Sequence, residues 1–331
     1  MAAFRAYWGK RHHNIARLEQ IHRSVLVGGR YLALPMEEYP GLERWGQAND
    51  AWIRVARDVG GKAVRDALDR AKVQPEQVGA FFFVTVTGVA TPSIEARLMN
   101  DLKLPVNIKR IPIFGLGCVA GAAGISRAAD YVKAYPDQVA LLLSVELCSL
   151  TAQREDLSMA NLISTGLFGD GAACAVVAGA EVAAGREGPE VLATRSIFYP
   201  DTERVMGWDI SERGFGIVLS AEVPAVVKRF MRGDVDRFLA DQGLSLRDIE
   251  SWVCHPGGPK VLTAFQEAFE LPEEALGVTW RSLREVGNLS SSSVLLVLRD
   301  TMAEHRPRAG SYGLMLAMGP GFCSELVLLR W

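Results

Sequence analysis

Repetition of one series of elements limits what this chain can fold into more than any other feature of the sequence. Strands are predicted for four short apolar runs in the first half, at residues 80–88, 107–115, 138–147 and 172–179. Helices are predicted for three amphipathic segments around them, at residues 49–71, 93–102 and 118–135. Continuously apolar strands that alternate with helices are typical of an α/β fold whose sheets are buried on both faces.

The series returns after the glycine-containing stretch 178–190. Helices are expected within residues 220–243 and 290–305, a strand begins at residue 249, and residues 312–331 contain two closing strands. Each half ends with a Gly-x-Gly turn followed by a strand, within 168–177 and 318–329. We therefore predict two similar halves, residues 1–180 and 181–331, packed so that two glycine-preceded helix N-termini converge.

Composition excludes several classes of protein. The net charge of -2 gives no electrostatic reason to expect a nucleic acid or an anionic membrane as a partner. The five cysteines are widely spaced without a CxxC pair, so we expect reduced thiols in a cytoplasm rather than disulfides or a zinc site. No signal-peptide pattern and no run of 18 uncharged apolar residues occurs, so neither secretion nor a membrane span is expected.

Cys118 follows an apolar strand and a Gly-Leu-Gly turn, and it begins a helix that is rich in small residues. A thiol in the first turn of a helix lies at the positive end of the macrodipole, which lowers its pKa and favours the thiolate. Cys118 is therefore a candidate nucleophile. A buried structural cysteine in a tight strand-helix turn is the alternative.

Histidine and asparagine occur at two similar junctions in the second half. His255 ends a strand and precedes Pro-Gly-Gly-Pro, a rigid loop at a position where sites on open α/β sheets gather. Asn288 precedes the serine-rich start of an apolar helix, where a helix cap is the alternative role. The other four histidines, His12, His13, His22 and His305, lie in polar or charged segments and are expected at the surface.

Around these residues the sequence resembles the type III polyketide synthases, the chalcone synthase-like branch of the thiolase superfamily. Five motifs occur in that family's order and spacing: GCVAGAAG at 117–124, GLFGDGAA at 166–173, HPGGPKVL at 255–262, GNLSSSSVL at 287–295 and MGPGF at 318–322. The resemblance covers nearly the whole chain. It implies an αβαβα thiolase-like fold, a homodimer, and CoA thioesters as substrates with no bound cofactor.

The resemblance also implies a mechanism. Cys118, paired with His255, would accept an acyl group from a starter acyl-CoA as a thioester. A malonyl- or methylmalonyl-CoA extender would then lose carbon dioxide, and His255 and Asn288 would donate hydrogen bonds to the enolate oxygen. Such a site needs donors rather than a base, so no catalytic carboxylate is expected.

Several further residues match the family's substrate-contacting positions. Phe168 matches an aromatic gate, and Ile217 stands where a second gate phenylalanine is usual, with Phe215 two residues earlier. An aliphatic Ile217 would suit a fatty acyl starter better than an aromatic one. The remaining candidates for substrate contact are Thr87, Ala90, Cys148, Thr151 and Gly258. Ordinary packing is the alternative for each of these positions.

The N-terminus departs from the family pattern. The chain opens into a basic, helical segment where a strand is usual, and Arg23 lies near the position of residues that bind the CoA phosphates. A solvated arginine is the alternative.

Segments 144–151 and 206–209 look closer to bacterial members that make alkylpyrones or alkylresorcinols from fatty acyl starters. Two other functions stay open. One is a single-condensation β-ketoacyl synthase III that acts with an acyl carrier protein. The other is a non-catalytic thiolase-fold partner subunit.

Overall fold

The computed structural model describes residues 15–331, so His12 and His13 lie outside the described residues. The first half contains α1 (Ile15–Ser24), α2 (Trp45–Ala71), β1 (Val78–Thr85), α3 (Ile94–Leu102), β2 (Lys109–Phe114), α4 (Ala120–Ala134), β3 (Val139–Leu147), α5 (Met159–Leu167) and β4 (Asp170–Ala178). The four predicted strands and three predicted helices are all present. Helix α5 is additional, because no helix is predicted there from the sequence.

The first sheet has the strand order β2-β1-β3-β4. Strand β1 is parallel to β2 and β3, and β4 is antiparallel to β3. Every residue of β3 is buried. This explains the apolar run that predicts the strand, because helices cover both faces of the sheet.

The second half begins with the short helix α6 (Ala180–Ala183) and continues with β5 (Glu190–Phe198), β6 (Met206–Ser211), β7 (Gly214–Leu219), α7 (Val223–Ala240), β8 (Ile249–Cys254), α8 (Pro259–Phe269), α9 (Gly277–Val286), α10 (Ser291–Asp300), β9 (Tyr312–Gly319) and β10 (Cys323–Arg330). The second sheet has the order β5-β10-β9-β8, and β6 and β7 form a separate hairpin. The predicted division at residue 180 falls between the last strand of the first sheet and the first strand of the second. The two domains, residues 1–180 and 181–331, stay a prediction.

Helices α4 and α10 lie between the two sheets and share one apolar core with both. Helices α2 and α3 cover the outer face of the first sheet, and α7 and α8 pack against the second. The five layers form the predicted αβαβα arrangement. The predicted repetition is also present at the end of each half. Strand β4 lies antiparallel to β3, and β10 lies antiparallel to β9.

Within residues 15–331, none of the helices combines the length and the apolar character needed to cross a lipid bilayer.

Candidate active site

Cys118 lies in a single 3-10 turn, Gly117–Val119, between β2 and α4. Gly117 has a φ of +54°, and a Cβ atom there would lie 2.7 Å from Cδ of Pro320. The glycine is therefore required both by the backbone conformation and by the close approach of the 319–321 loop. Cys118 is buried, and its thiol lies 3.7 Å from the hydroxyl oxygen of Ser290.

The expected low pKa of Cys118 is not found. Burial raises the pKa of the thiol to about 12, and the Ser290 and Asn288 side chains only partly oppose this effect. The physical reason is desolvation, because a thiolate in an apolar interior loses its hydration. Cys118 is therefore a neutral thiol in the free protein.

Helices α4 and α10 approach closely at their N-terminal ends, as the sequence predicts. A Cβ atom at Gly121 would lie 2.2 Å from the carbonyl oxygen of Ser291 and 2.6 Å from Cγ1 of Val294. Only glycine permits this contact. The close packing brings the Cys118 turn of the first half against the 288–291 segment of the second half.

Asn288 does not cap α10, because that helix begins after Ser290. Its side-chain oxygen accepts a hydrogen bond of 2.8 Å from the Ser290 N–H, and its amide nitrogen lies 3.4 Å from the carbonyl oxygen of Gly257. Its backbone is bridged to Leu167 and Gly169, on either side of Phe168, by hydrogen bonds of 2.9 Å and 3.0 Å.

His255 lies at the end of β8, where its N–H donates to the carbonyl oxygen of Leu316 at 2.9 Å. Its ring is buried, and neither ring nitrogen has a hydrogen-bond partner within residues 15–331. Burial lowers the pKa of His255 to about 3, so the ring is neutral. The loop that follows ends at Gly258, which has a φ of +139° and immediately precedes α8.

Short contacts connect the three candidate catalytic residues. Cys118 contacts Ser290, Ser290 is bonded to Asn288, and Asn288 reaches Gly257 in the loop that starts at His255. No hydrogen bond joins His255 to Cys118. The arrangement therefore holds a neutral thiol, a neutral imidazole and an amide in one buried region, with the imidazole nitrogens free.

A buried carboxyl group that the sequence motifs do not include, Glu146, lies beside this group. Glu146 in β3 accepts hydrogen bonds from the Val86 N–H at 3.1 Å, the Thr87 hydroxyl at 3.0 Å and the Ser291 hydroxyl. Burial raises its pKa to about 7, and its charge contributes to the raised pKa of Cys118. A lone acidic residue inside a continuous apolar strand is the sequence signal that could have identified it.

A cavity of about 530 Å³ approaches this region at Phe168, whose backbone is bridged to Asn288. Cys118, His255 and Asn288 themselves are not on its wall. Its walls come from the segment between α1 and α2, the turn after β3, helix α5 and the β6–β7 hairpin. Five of the predicted substrate-contacting residues line it: Arg23, Cys148, Thr151, Phe168 and Ile217. Thr87 and Ala90 do not, since Thr87 is bonded to Glu146 and Ala90 packs against the outer core of the first sheet. Gly258 is also not on its wall, and a Cβ atom there would lie 3.6 Å from the Leu167 side chain.

Two families match adjoining parts of this chain. "Chalcone and stilbene synthases, C-terminal domain" matches residues 190–331, and "FAE1/Type III polyketide synthase-like protein" matches residues 43–191. The 1,3,6,8-tetrahydroxynaphthalene synthase of Streptomyces peucetius subsp. caesius is 51% identical over 319 residues, covering 96% of this chain and 84% of that protein. This chain belongs to the type III polyketide synthases.

Other proteins support the assignment. The putative chalcone synthase of Bacillus subtilis (strain 168) is 38% identical, with 96% of this chain and 90% of that protein covered. The crystal structure of 1,3,6,8-tetrahydroxynaphthalene synthase from Streptomyces coelicolor A3(2) has a TM-score of 0.93 and 30% identity, with 99% of this chain and 92% of that chain covered. The predicted family and thiolase-like fold are thus confirmed. The protein is an acyltransferase, because enzymes of this family extend acyl groups by decarboxylative condensation of CoA thioesters.

Aromatic rings form one wall of the cavity in this polyketide synthase. Trp208 pairs with Ile217 across the β6–β7 hairpin, and the Phe215 ring lies 5.9 Å from the Trp208 ring, between centroids. Phe215 also contacts the ring of Trp45. Ile217 therefore lies beside an aromatic residue on the cavity wall, because Trp208 lines the same cavity.

His22 is not the surface residue that its polar segment predicts. In the synthase its ring is half-buried on the cavity wall, with Nε2 3.1 Å from the Leu162 carbonyl oxygen. Burial lowers its pKa to about 4. The expected exposure holds for His305. The adjacent Arg23 is exposed at the end of α1, where its side chain also lines the cavity.

Proposed function

We propose that this synthase carries its acyl chain on Cys118 and extends it with malonyl units activated by His255 and Asn288. The observation that carries the proposal is the pair of free ring nitrogens of buried His255. Buried polar atoms in proteins are nearly always hydrogen-bonded, and an exception requires a reason. Donation to a substrate oxygen supplies that reason.

Loading begins with proton transfer from Cys118 to His255. Each group alone is neutral because it is buried. Transfer of the proton creates a thiolate and an imidazolium whose opposite charges stabilise each other, which offsets the loss of hydration. The thiolate attacks the thioester carbonyl of an acyl-CoA, the acyl–sulfur bond to CoA breaks, and CoA leaves with the proton.

Extension uses the same residues as hydrogen-bond donors. Malonyl-CoA loses carbon dioxide when its carbon–carboxyl bond breaks, and the electron pair forms an enolate. The His255 N–H and the Asn288 amide donate to the enolate oxygen, and the Asn288 amide is available because its present contact is 3.4 Å long. The enolate carbon attacks the thioester, the Cys118 thiolate departs, and the longer chain can be loaded again.

Phe168 is proposed to separate the reacting atoms from the cavity. Its ring lines the cavity, and its backbone is bridged to Asn288. An apolar ring beside the malonyl carboxylate favours neutral carbon dioxide over the charged group.

The proposed product is a small polyhydroxylated aromatic compound built from malonyl units alone. The name of the 51% identical relative supports this product class. A naphthalene ring has ten carbons and each decarboxylated malonyl unit supplies two, so five units are sufficient without another starter. Four polar residues line the cavity, Tyr39, Ser149, Thr151 and Asn161, and their own donors are bonded within the protein.

A fatty acyl starter, with an alkylpyrone or alkylresorcinol product, is the second candidate. Leu32, Met36 and Ile217 line the same cavity and would contact an alkyl chain. This product class stays a prediction.

One assay tests the proposal. The protein is incubated with labelled malonyl-CoA alone and with a fatty acyl-CoA, with and without acyl carrier protein, and the products are identified by mass spectrometry. We expect an aromatic product from malonyl-CoA alone. Cys118→Ala should remove the acyl-enzyme seen by intact mass, whereas Cys174→Ala, a thiol that is not on the cavity wall, should retain it. Acylation of the Cys118→Ala variant, or single extension that requires carrier protein, would refute the proposal.

We also propose a homodimer that works in the cytoplasm. Strand β2 is an edge of the first sheet, and Phe114 at its end and Val106 before it are 46% and 98% exposed. Exposed apolar side chains beside an open strand edge favour association with a second copy. The five cysteines are all unpaired, which suits a reducing compartment.

A further inference from the structure

The C-terminal end of α5 leaves carbonyl groups without partners inside the helix, and Phe168 is the residue that ends it. The Phe168 N–H donates to the Ser164 carbonyl oxygen at 2.9 Å. Two further backbone hydrogen bonds join this segment to Asn288 in the second half, one at Leu167 and one at Gly169. The carbonyl groups of Gly166 and Phe168 are among those that remain, and each needs a donor.

Arg30 supplies these donors. Its Nη1 atom donates to the Gly166 carbonyl oxygen and reaches the Phe168 carbonyl oxygen at 3.4 Å. A cation at this position also stabilises the negative end of the helix dipole. Arg30 and Asn288 therefore fix the Phe168 backbone from two sides, one through a side chain and the other through its backbone.

The backbone around Arg30 is fixed by both halves of the molecule. The Gly28 N–H donates to the Arg284 carbonyl oxygen at 2.7 Å, and the Asp170 N–H donates to the Tyr31 carbonyl oxygen at 3.1 Å. The Ala33 N–H donates to the Asp170 carboxylate at 2.6 Å. The segment 28–33 thus holds the guanidinium in place before substrate arrives.

Asp170 partly balances the charge of Arg30 but does not accept hydrogen bonds from it. The guanidinium is half-buried, which lowers its pKa, and the nearby Asp170 carboxylate opposes this effect. The Asp170 carboxylate is bonded to Ser149 and Ala33 rather than to Arg30. Arg30 therefore keeps its donors for the carbonyl groups at the end of α5.

We propose that Arg30 is a positioning residue for extension: it fixes Phe168 against the cavity and so holds each incoming malonyl unit in its reactive position. This role rests on the proposed function of Phe168. Arg30 would act through Phe168 and would not touch the reacting atoms. Loading of Cys118 therefore should not need it, whereas repeated extension should.

The test compares Arg30→Met, which has a long side chain without donors, with Arg30→Lys, which keeps a charged donor. The control is Arg186→Met, because Arg186 also donates to backbone carbonyl groups, those of Ala71 and Lys72, but at the surface. Three quantities are measured: Cys118 acylation by intact mass, kcat and KM for malonyl-CoA, and product chain length.

For Arg30→Met we expect acylation within about twofold of wild type, a loss of roughly 10- to 100-fold in kcat/KM for malonyl-CoA, and shorter products released as lactones. Arg30→Lys should restore most of the wild-type chain length, and Arg186→Met should match wild type. Unchanged chain length and kcat/KM in folded Arg30→Met would overturn the proposal. If wild type itself fails to acylate Cys118, the proposed function is at fault instead.

A double variant separates positioning from a general structural role. In a Phe168→Ala background, adding Arg30→Met should change kcat/KM by less than about twofold, because the residue through which Arg30 acts is already gone. Losses that multiply would show that Arg30 acts independently of Phe168 and would overturn the proposal. If Arg30→Met does not fold, Arg30→Lys decides: wild-type chain length supports the role, and short products from folded protein refute it.

Discussion

The backbone of Asn288 is hydrogen-bonded to the residues on either side of Phe168. The Asn288 N–H donates to the Leu167 carbonyl oxygen at 2.9 Å, and its carbonyl oxygen accepts from the Gly169 N–H at 3.0 Å. Asn288 belongs to the second half of the chain and Phe168 to the first. The connection makes the position of the proposed gate depend on the position of the proposed enolate donor, so a change at either residue should affect both.

Gly287 is the position where this connection is easiest to break. Its φ is +77°, and a Cβ atom there would lie 2.8 Å from the Leu167 carbonyl oxygen. Gly287→Ala should therefore lower the free energy of unfolding by about 1–3 kcal/mol and reduce polyketide formation more than thermal stability alone explains. Urea unfolding and product assays measure the two effects.

The matched control is Gly277→Ala at the start of α9, where a Cβ atom would meet nothing within 4 Å. It should leave activity unchanged and unfolding unaffected or slightly more difficult. Equal effects of the two substitutions would contradict the argument from the Asn288 bridge.

His255→Gln tests how the Cys118 thiolate forms. Burial raises the pKa of the wild-type thiol to about 12, so the thiol reacts quickly only where a base accepts its proton, and the variant lacks the proposed base. Iodoacetamide should then alkylate Cys118 at least about tenfold more slowly than in wild type, and the rate should increase with pH. Peptide mass spectrometry gives the rate at each cysteine.

The half-buried Cys323 is an internal control, because its alkylation should not depend on residue 255. The same Cys118 rate in both proteins would rule out His255 as the proton acceptor.

Glu146→Gln tests the buried carboxyl group beside the site. Its pKa is raised by burial from the ordinary 4.5 to about 7, so between these pH values the native state holds a proton that the unfolded state releases. The contribution of Glu146 to the free energy of unfolding is therefore fully present below pH 4.5, and it is lost as the pH rises through 7. The free energy of unfolding of wild type relative to Glu146→Gln should fall by up to about 3 kcal/mol across this window.

Urea unfolding at intervals from pH 4.5 to pH 8 measures the difference. Subtraction of the two profiles removes the contribution of Asp170, whose pKa burial also raises, to about 6. Parallel profiles would mean that Glu146 ionises normally in the native state.

Burial explains why two of the strands are easy to predict from the sequence. Strands β1 and β3 are almost wholly buried, so their apolar runs are easy to identify. Strand β5 is only partly buried, and β6 and β7 form a hairpin outside the two main sheets. Their mixed side chains resemble those of a loop, and their pairing depends on neighbours that a local pattern does not contain.

The residues of the site also differ in whether the sequence alone identifies them. Cys118, His255 and Asn288 could be identified because each belongs to a short motif at a strand-helix junction. Arg30 could not, because its contacts with Gly166 and Phe168 join residues more than 130 positions apart, and nothing local distinguishes it from a surface arginine. The pKa of Cys118 was predicted wrongly because the helix dipole is a local feature, whereas burial depends on the whole fold.

Phe114→Glu tests the proposed homodimer. A charged side chain at this exposed position of β2 should be tolerated by the folded chain but excluded from an apolar interface. Light scattering during size-exclusion chromatography should give dimeric wild type and a shift towards monomer in the variant. Met302→Glu is the control, because Met302 is 41% exposed just after α10 and lies outside both sheets, and it should leave the mass unchanged. A monomeric wild type would rule out the dimer.

Trp208→Ala tests which starter the cavity selects. Trp208 pairs with Ile217 across the hairpin, and both residues line the cavity. Removing the ring should let longer acyl-CoA starters compete with malonyl-CoA, so that alkyl-substituted products appear and the malonyl-only aromatic product declines. Mixed-starter assays with product mass spectrometry measure the ratio. Wild type that already prefers long acyl starters would favour the alkylpyrone or alkylresorcinol prediction, because Trp208 would then not limit the length of the cavity.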